Sequence, residues 1–117
     1  MDILVAMGSD VFSGSNSGTV HKINGDAVTA TAEIGNEHDI RDITISEDSV
    51  WVLTNRKEIY ELDKATMAVK RNTSLTYDAM CCTYVPGTAE IWVGEKQGKI
   101  HVLSADTFEQ TSEIEIP

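Results

Sequence analysis

The residues with the widest chemical reach in this chain are three histidines, two adjacent cysteines and a surplus of carboxylates. Imidazole changes charge near neutral pH and binds transition metals, and a thiolate is both a nucleophile and a soft ligand. His38 lies between Glu37 and Asp39, where imidazole could ligate a cation or sense pH. No second ligand cluster stands at a recognisable spacing from it, so it reads as a solvated linker residue. His21 and His101 recur at equivalent places of an internal repeat, with Tyr60 in the same column, which speaks for packing over metal binding. Cys81 and Cys82 fall in a stretch that reads as a strand, where neighbouring side chains point to opposite faces. They cannot bridge each other in an ordinary framework disulfide, and they read as small buried apolar residues in a reducing compartment.

The remaining candidates for chemistry fail on context. Carboxylates are plentiful, but no pair can be placed across a substrate. Ser13-Gly14-Ser15 lacks the strand-to-helix setting of a nucleophile elbow. Gly94 to Gly98 is a hairpin and does not lead into a helix that could hold phosphate. The innermost strands, read as lining a channel, supply Leu4, Ala6, Ile43, Ile45, Cys82 and Tyr84, with Asp42 as their carboxylate. No catalytic, cofactor-binding or metal-binding residue is assigned, and a non-enzyme is expected.

The elements that carry these residues form a repeat. Ser13–Asn24 (SGSNSGTVHKIN) returns as Val52–Asp63 (VLTNRKEIYELD) and as Val93–Ser104 (VGEKQGKIHVLS). Superposition puts Phe12, Trp51 and Trp92 in one column, with steps of 39 and 41 residues; Val20, Ile59 and Ile100 share a second, and Ile23, Leu62 and Leu103 a third. Self-similarity at about 40 residues marks a fold of small four-stranded units. Alternation of apolar and polar residues, as in Val28–Ile34 (VTATAEI), and turn pairs such as Asn24-Gly25 predict short strands throughout. About twelve are expected, with outer strands at Met67–Thr73 and Phe108–Ile116 and almost no helix.

The bulk properties narrow the partners. The chain has 117 residues, 41% of them hydrophobic, and nine Lys or Arg against nineteen Asp or Glu, for a formal charge of −10. That field repels phosphate backbones and anionic membranes, so neither nucleic acid nor a membrane is expected, and a protein partner is. The longest apolar run, Ile3–Met7, is too short to span a bilayer, and a soluble cytoplasmic protein is expected.

On these residues the chain resembles WD-repeat proteins in eroded form. Gly35-Asn36 stands at the Gly-His place, Ile40, Ile43 and Ile45 at the apolar places, and Ser46-Glu47-Asp48-Ser49 at the turn. Ser13-Gly14-Ser15 and Thr19-Val20 fit the hairpin. Ile23-Asn24, Leu62-Asp63 and Leu103-Ser104 replace Trp-Asp, Ser17 the turn aspartate and Asn36 the histidine, so the His–Ser–Trp–Asp staple of regular blades is expected to be missing or partial. The fold implied is an all-β partial β-propeller of three four-stranded antiparallel blades, at about 1–35, 36–76 and 77–117. Val50–Ser104 is similar to the C-terminal propeller of the actin-interacting protein family, and that similarity implies a cytoskeletal adaptor that binds actin filaments alongside cofilin.

Three blades cannot close an ordinary ring, which takes four to eight. The chain is therefore expected to be part of a longer propeller or to self-associate as a homo-oligomer, two chains giving six blades. Self-assembly without a cytoskeletal partner is the alternative function. The interblade linkers and the hairpins joining second and third strands should project at one end, grouping His38, Arg56, Lys57, Tyr77 and Lys96 as a protein-binding rim, with Asn16, Glu37, Asp39, Asn55 and Gln97 beside them.

Overall fold

In the computed structural model, which describes residues 3–35 and 38–116, every regular element is a strand. The first sheet holds β1 (Ile3–Met7), β2 (Asp10–Gly14), β3 (Thr19–Asn24) and β4 (Ala27–Glu33). The second holds β5 (Ile40–Ile45), β6 (Ser49–Thr54), β7 (Glu58–Asp63) and β8 (Val69–Ser74). The third holds β9 (Ala79–Val85), β10 (Glu90–Glu95), β11 (Lys99–Ser104) and β12 (Gln110–Glu115). Each sheet is antiparallel and runs in chain order, as expected for propeller blades.

Side chains alternate between the two faces of a sheet, so each face must find its own apolar partner. Phe12 and Val20 pack against Ile43, Val50, Val52, Tyr60 and Leu62 to form one core between the first and second sheets. Trp51, Leu53 and Ile59 pack against Ile91, Val93 and Leu103 to form the other, between the second and third. Strand β6 serves both cores and is buried along its whole length, whereas β12 is exposed along its whole length.

The innermost strands β1, β5 and β9 lie side by side, but two of the residues expected to line a channel do not. Ile43 and Cys82 are buried between blades. Asp42 and Thr44 turn sideways to the next blade: Asp42 Oδ2 accepts the Cys82 N–H at 2.9 Å and Thr44 Oγ1 accepts the Tyr84 N–H at 2.9 Å. In a sheet standing radially, the pleat aims side chains at the neighbouring blades and leaves backbone at the inner edge.

Two outer strands start later than expected. Met67 and Phe108 are not strand residues but the last positions of matching turns, both with φ of 65°. Met67 N–H bonds Asp63 O at 2.7 Å, and Phe108 N–H bonds Ser104 O at 2.8 Å. The left-handed conformation is unfavourable for non-glycine residues. It is held here because it turns each side chain inward, Met67 to 2% exposure in the first core and Phe108 edge-on to Trp51 with centroids 5.3 Å apart.

Candidate functional site

The rim is built from backbone. Asn55 N–H bonds Asp39 O at 2.9 Å, Lys96 N–H bonds Asp78 O at 3.3 Å, and Leu75 N–H bonds Lys57 O at 2.6 Å. Each β-hairpin tip is thereby tied to an interblade linker, and the expected convergence of linkers and hairpins at one end is observed. Gly18, with φ of +76°, allows the tightest of these approaches: a Cβ there would lie 1.8 Å from Gly35 O. Glu37 falls outside the described residues, as does Asn36.

The side chains divide into two groups. Arg56, Lys57 and Lys96 are exposed at the tips of the β6–β7 and β10–β11 hairpins. His38 and Tyr77 are turned inward. His38 is partly buried, with Nε2 3.0 Å from Glu58 Oε1 and its ring edge-on to Tyr60 at 6.4 Å between centroids. It is therefore a packed linker residue and not the solvated one expected. Tyr77, expected on the rim, is 8% exposed and stacked on His101, centroids 3.6 Å apart and planes 6° from parallel. Burial, and then the nearby Glu95 carboxylate, pushes the Tyr77 hydroxyl up to about 12.

These two inward residues are one device used twice. Positions 38 and 77 are 39 apart, as are 12 and 51, and each presents its ring to the third-strand aromatic column at 60 or 101. At the first junction the linker supplies His and the strand Tyr; at the second the roles are exchanged. A carboxylate attends each imidazole: Glu58 at His38, and Glu95 Oε2 at 3.3 Å from His101 Nε2. This aromatic couple staples linker to blade in a chain that departs from the regular WD residues. The exchange was present in the sequence, because the same column holds His21, Tyr60 and His101.

Sequence reasoning missed Arg41 and Asp78. Arg41 Nη1 lies 2.5 Å from Asp78 Oδ1 and donates to Ala79 O at 3.0 Å, clamping the second linker to β5. It also missed the staple at the opposite end, where Glu61, 7% exposed, accepts from Arg71 Nε and from Ser49 Oγ, each at 2.6 Å. Arg71 continues to the carbonyls of Ala105 and Asp106 at 2.6 Å and covers the Phe108 ring at 4.7 Å.

Beside that staple, Lys22, Lys64 and Lys70 line a cavity of about 480 Å³ with Glu47, Asp48 and Asp63. Their ammonium groups are turned to protein acceptors: Lys22 to Lys64 O at 2.9 Å, Lys64 to Ser46 O at 3.3 Å and Lys70 to Ser49 Oγ at 2.9 Å. Among the described residues no three His, Cys, Asp or Glu side chains are grouped to hold a metal ion, and no helix is long and apolar enough to cross a membrane.

No protein-family model and no curated protein sequence matches the chain. Solved structures do. Over 97% of this chain it is similar to BamB from Moraxella catarrhalis, with a TM-score of 0.83, 15% identity and 35% of that chain covered. It is similar to Saccharomyces cerevisiae Sqt1 over 97% of its length, with a TM-score of 0.82, 18% identity and 35% of that chain covered. For the WD40 repeats of RRP9 the TM-score is 0.86 at 11% identity, with 97% of this chain and 38% of that chain covered. The chain thus spans a little over a third of the length of these propellers. At such identities the likeness is one of fold, and with three sheets in chain order the fold is that of three consecutive WD40-type propeller blades.

Proposed function

We propose that the chain is a non-catalytic protein-binding module that works through the hairpin rim. The observation that carries this reading is the contrast at that end: His38, Arg41 and Tyr77 are turned into packing, while Arg56, Lys57 and Lys96 stand exposed at the hairpin tips. Three of the nine cations of a chain of charge −10 are thereby placed at the hairpin tips, beside Glu58 and Glu95, a mixed polar rim suited to a protein surface that carries both charges. The resemblance read in the sequence of Val50–Ser104 to the actin-interacting protein family is the ground for taking the actin filament, with cofilin, as the partner to test, in a reducing cytoplasm where Cys81 and Cys82 would stay as thiols.

Co-sedimentation with filaments, with and without cofilin, tests it. The chain is expected in the pellet, and Arg56→Glu with Lys57→Glu and Lys96→Glu should reduce the pelleted fraction at least fivefold. No enrichment in either pellet retires actin as the partner. A second reading, self-assembly through the open blade faces, is favoured by the partial exposure of Trp92 and Ile23 in columns whose other members are buried.

A further inference from the structure

The repeat makes two kinds of face. Phe12 and Trp51 mark the face that each blade turns to the next, and both are buried, at 0% and 2% exposure; Trp92, third in that column, is half-buried. Leu62 and Leu103 mark the face turned to the preceding blade, at 0% and 3%; Ile23, third in that column, is half-buried. The first and third sheets thus leave open the two opposite halves of a junction that the molecule already makes twice.

The halves match in detail. At the first junction Gly14 leaves a hole beside Phe12: a Cβ there would lie 2.6 Å from Ile40 Cγ2 and 3.0 Å from Ile43 Cδ1, so the inner strand of the second sheet fills it. Gly94 stands in the same register beside Trp92, and the surface around it, with Cys81, Thr83 and Ile100, forms an apolar cavity of about 220 Å³. The residue equivalent to Ile43 in the first sheet is Leu4, which is 68% exposed. At the second junction Asp42 meets the Cys82 backbone and Thr44 meets that of Tyr84. The corresponding pairs across the open faces are Cys81 with Leu4 and Thr83 with Ala6. Glu90 brings a carboxylate to the edge of this face, already engaged with Thr88 Oγ1 at 2.7 Å and Trp92 Nε1 at 3.2 Å.

We propose that two copies of this chain close head to tail into a six-bladed ring, with Leu4 of one copy seated over Gly94 of the other. The proposal rests on the self-assembly reading and gives it a register. Six is the one multiple of three among ordinary blade numbers of about four to eight. A four-stranded face of five or six residues per strand presents roughly 350 Å². Two junctions covering four such faces remove on the order of 1,400 Å², enough for a stable dimer.

Light scattering at tens of micromolar should give the mass of two chains. Leu4→Asp, at a side chain that supports little within one chain, should raise the dimer dissociation constant at least tenfold with an unchanged circular dichroism spectrum. Leu4→Cys treated with diamide, which takes up the two electrons and two protons released, should form an intermolecular disulfide with Cys81, and Cys81→Ser should abolish it. A wild-type monomer at that concentration overturns self-assembly itself and leaves the faces as seats for other blades or another protein. A dimer indifferent to Leu4→Asp and not cross-linked by Leu4→Cys overturns the register alone.

Discussion

The middle blade and the two end blades are written in the same columns of residues but live in different solvents. In the middle blade β6 is buried on both faces and β7 nearly so; in the third blade the same column that holds Trp51 holds an only partly buried Trp92, and β12 has no cover. The comparison teaches that a blade's sequence specifies two faces, whereas its stability depends on how many of them are covered. Aromatic truncation should expose this most strongly. Trp51→Ala removes a ring buried against Phe108, together with the hydrogen bond from Nε1 to Ser46 Oγ at 3.0 Å, and should cost about 3–5 kcal/mol in denaturant unfolding. Trp92→Ala at the same column should cost about 1–2 kcal/mol in dilute protein, since the ring is only partly buried and no blade covers it. Equal costs at nanomolar concentration would mean that the open face is packed in some other way.

The glycine pair sharpens the same contrast at a smaller scale. Gly14→Ala places a methyl group against Ile40 and Ile43, both held by the facing blade, and should destabilise by about 1–3 kcal/mol through overpacking. Gly94→Ala meets Cys81 Sγ at 2.6 Å and Cys81 O at an ordinary 3.9 Å, and the exposed Cys81 side chain borders open space into which it can rotate. Its cost should stay under about 1 kcal/mol for the single chain. Thermal unfolding of the two variants side by side, at a concentration below any association, checks the difference.

Most of the fold was legible because the columns at steps of 39 and 41 residues encode alternation and turn spacing together, which is local information. The turns ending at Met67 and Phe108 were not, since both residues continue an apparent strand pattern and their positive φ is stabilised by cores formed with other blades. Glu61 shows the same limit: its column holds Lys22 and Val102, and its burial depends on Arg71 arriving from β8. At the rim, backbone convergence was legible from topology, but the inward turn of Tyr77 was not, because the partner that stacks on it, His101, lies on the third strand after it.

The two linker couples give the finest comparison. At the first junction His38 is held by the Glu58 carboxylate, whereas at the second the Tyr77 hydroxyl is buried without a hydrogen-bond partner among the described residues. A buried hydroxyl that donates to nothing carries a desolvation cost, so Tyr77→Phe should leave stability at neutral pH unchanged or raise it by about 1 kcal/mol. High pH should separate the variants. Tyrosine in the unfolded chain loses its proton near its ordinary value of 10.0, while in the folded chain Tyr77 keeps it to about 12. Across that interval the folded state binds a proton that the unfolded state has lost, so the stability it contributes is complete below pH 10 and drains away as pH rises to 12. Tyr77→Phe should flatten this fall in denaturant midpoint against pH. The slope that remains should include Tyr60, also raised by burial and then by Glu58. An identical fall in both proteins would place the Tyr77 ring in water and undo its assignment to the second junction.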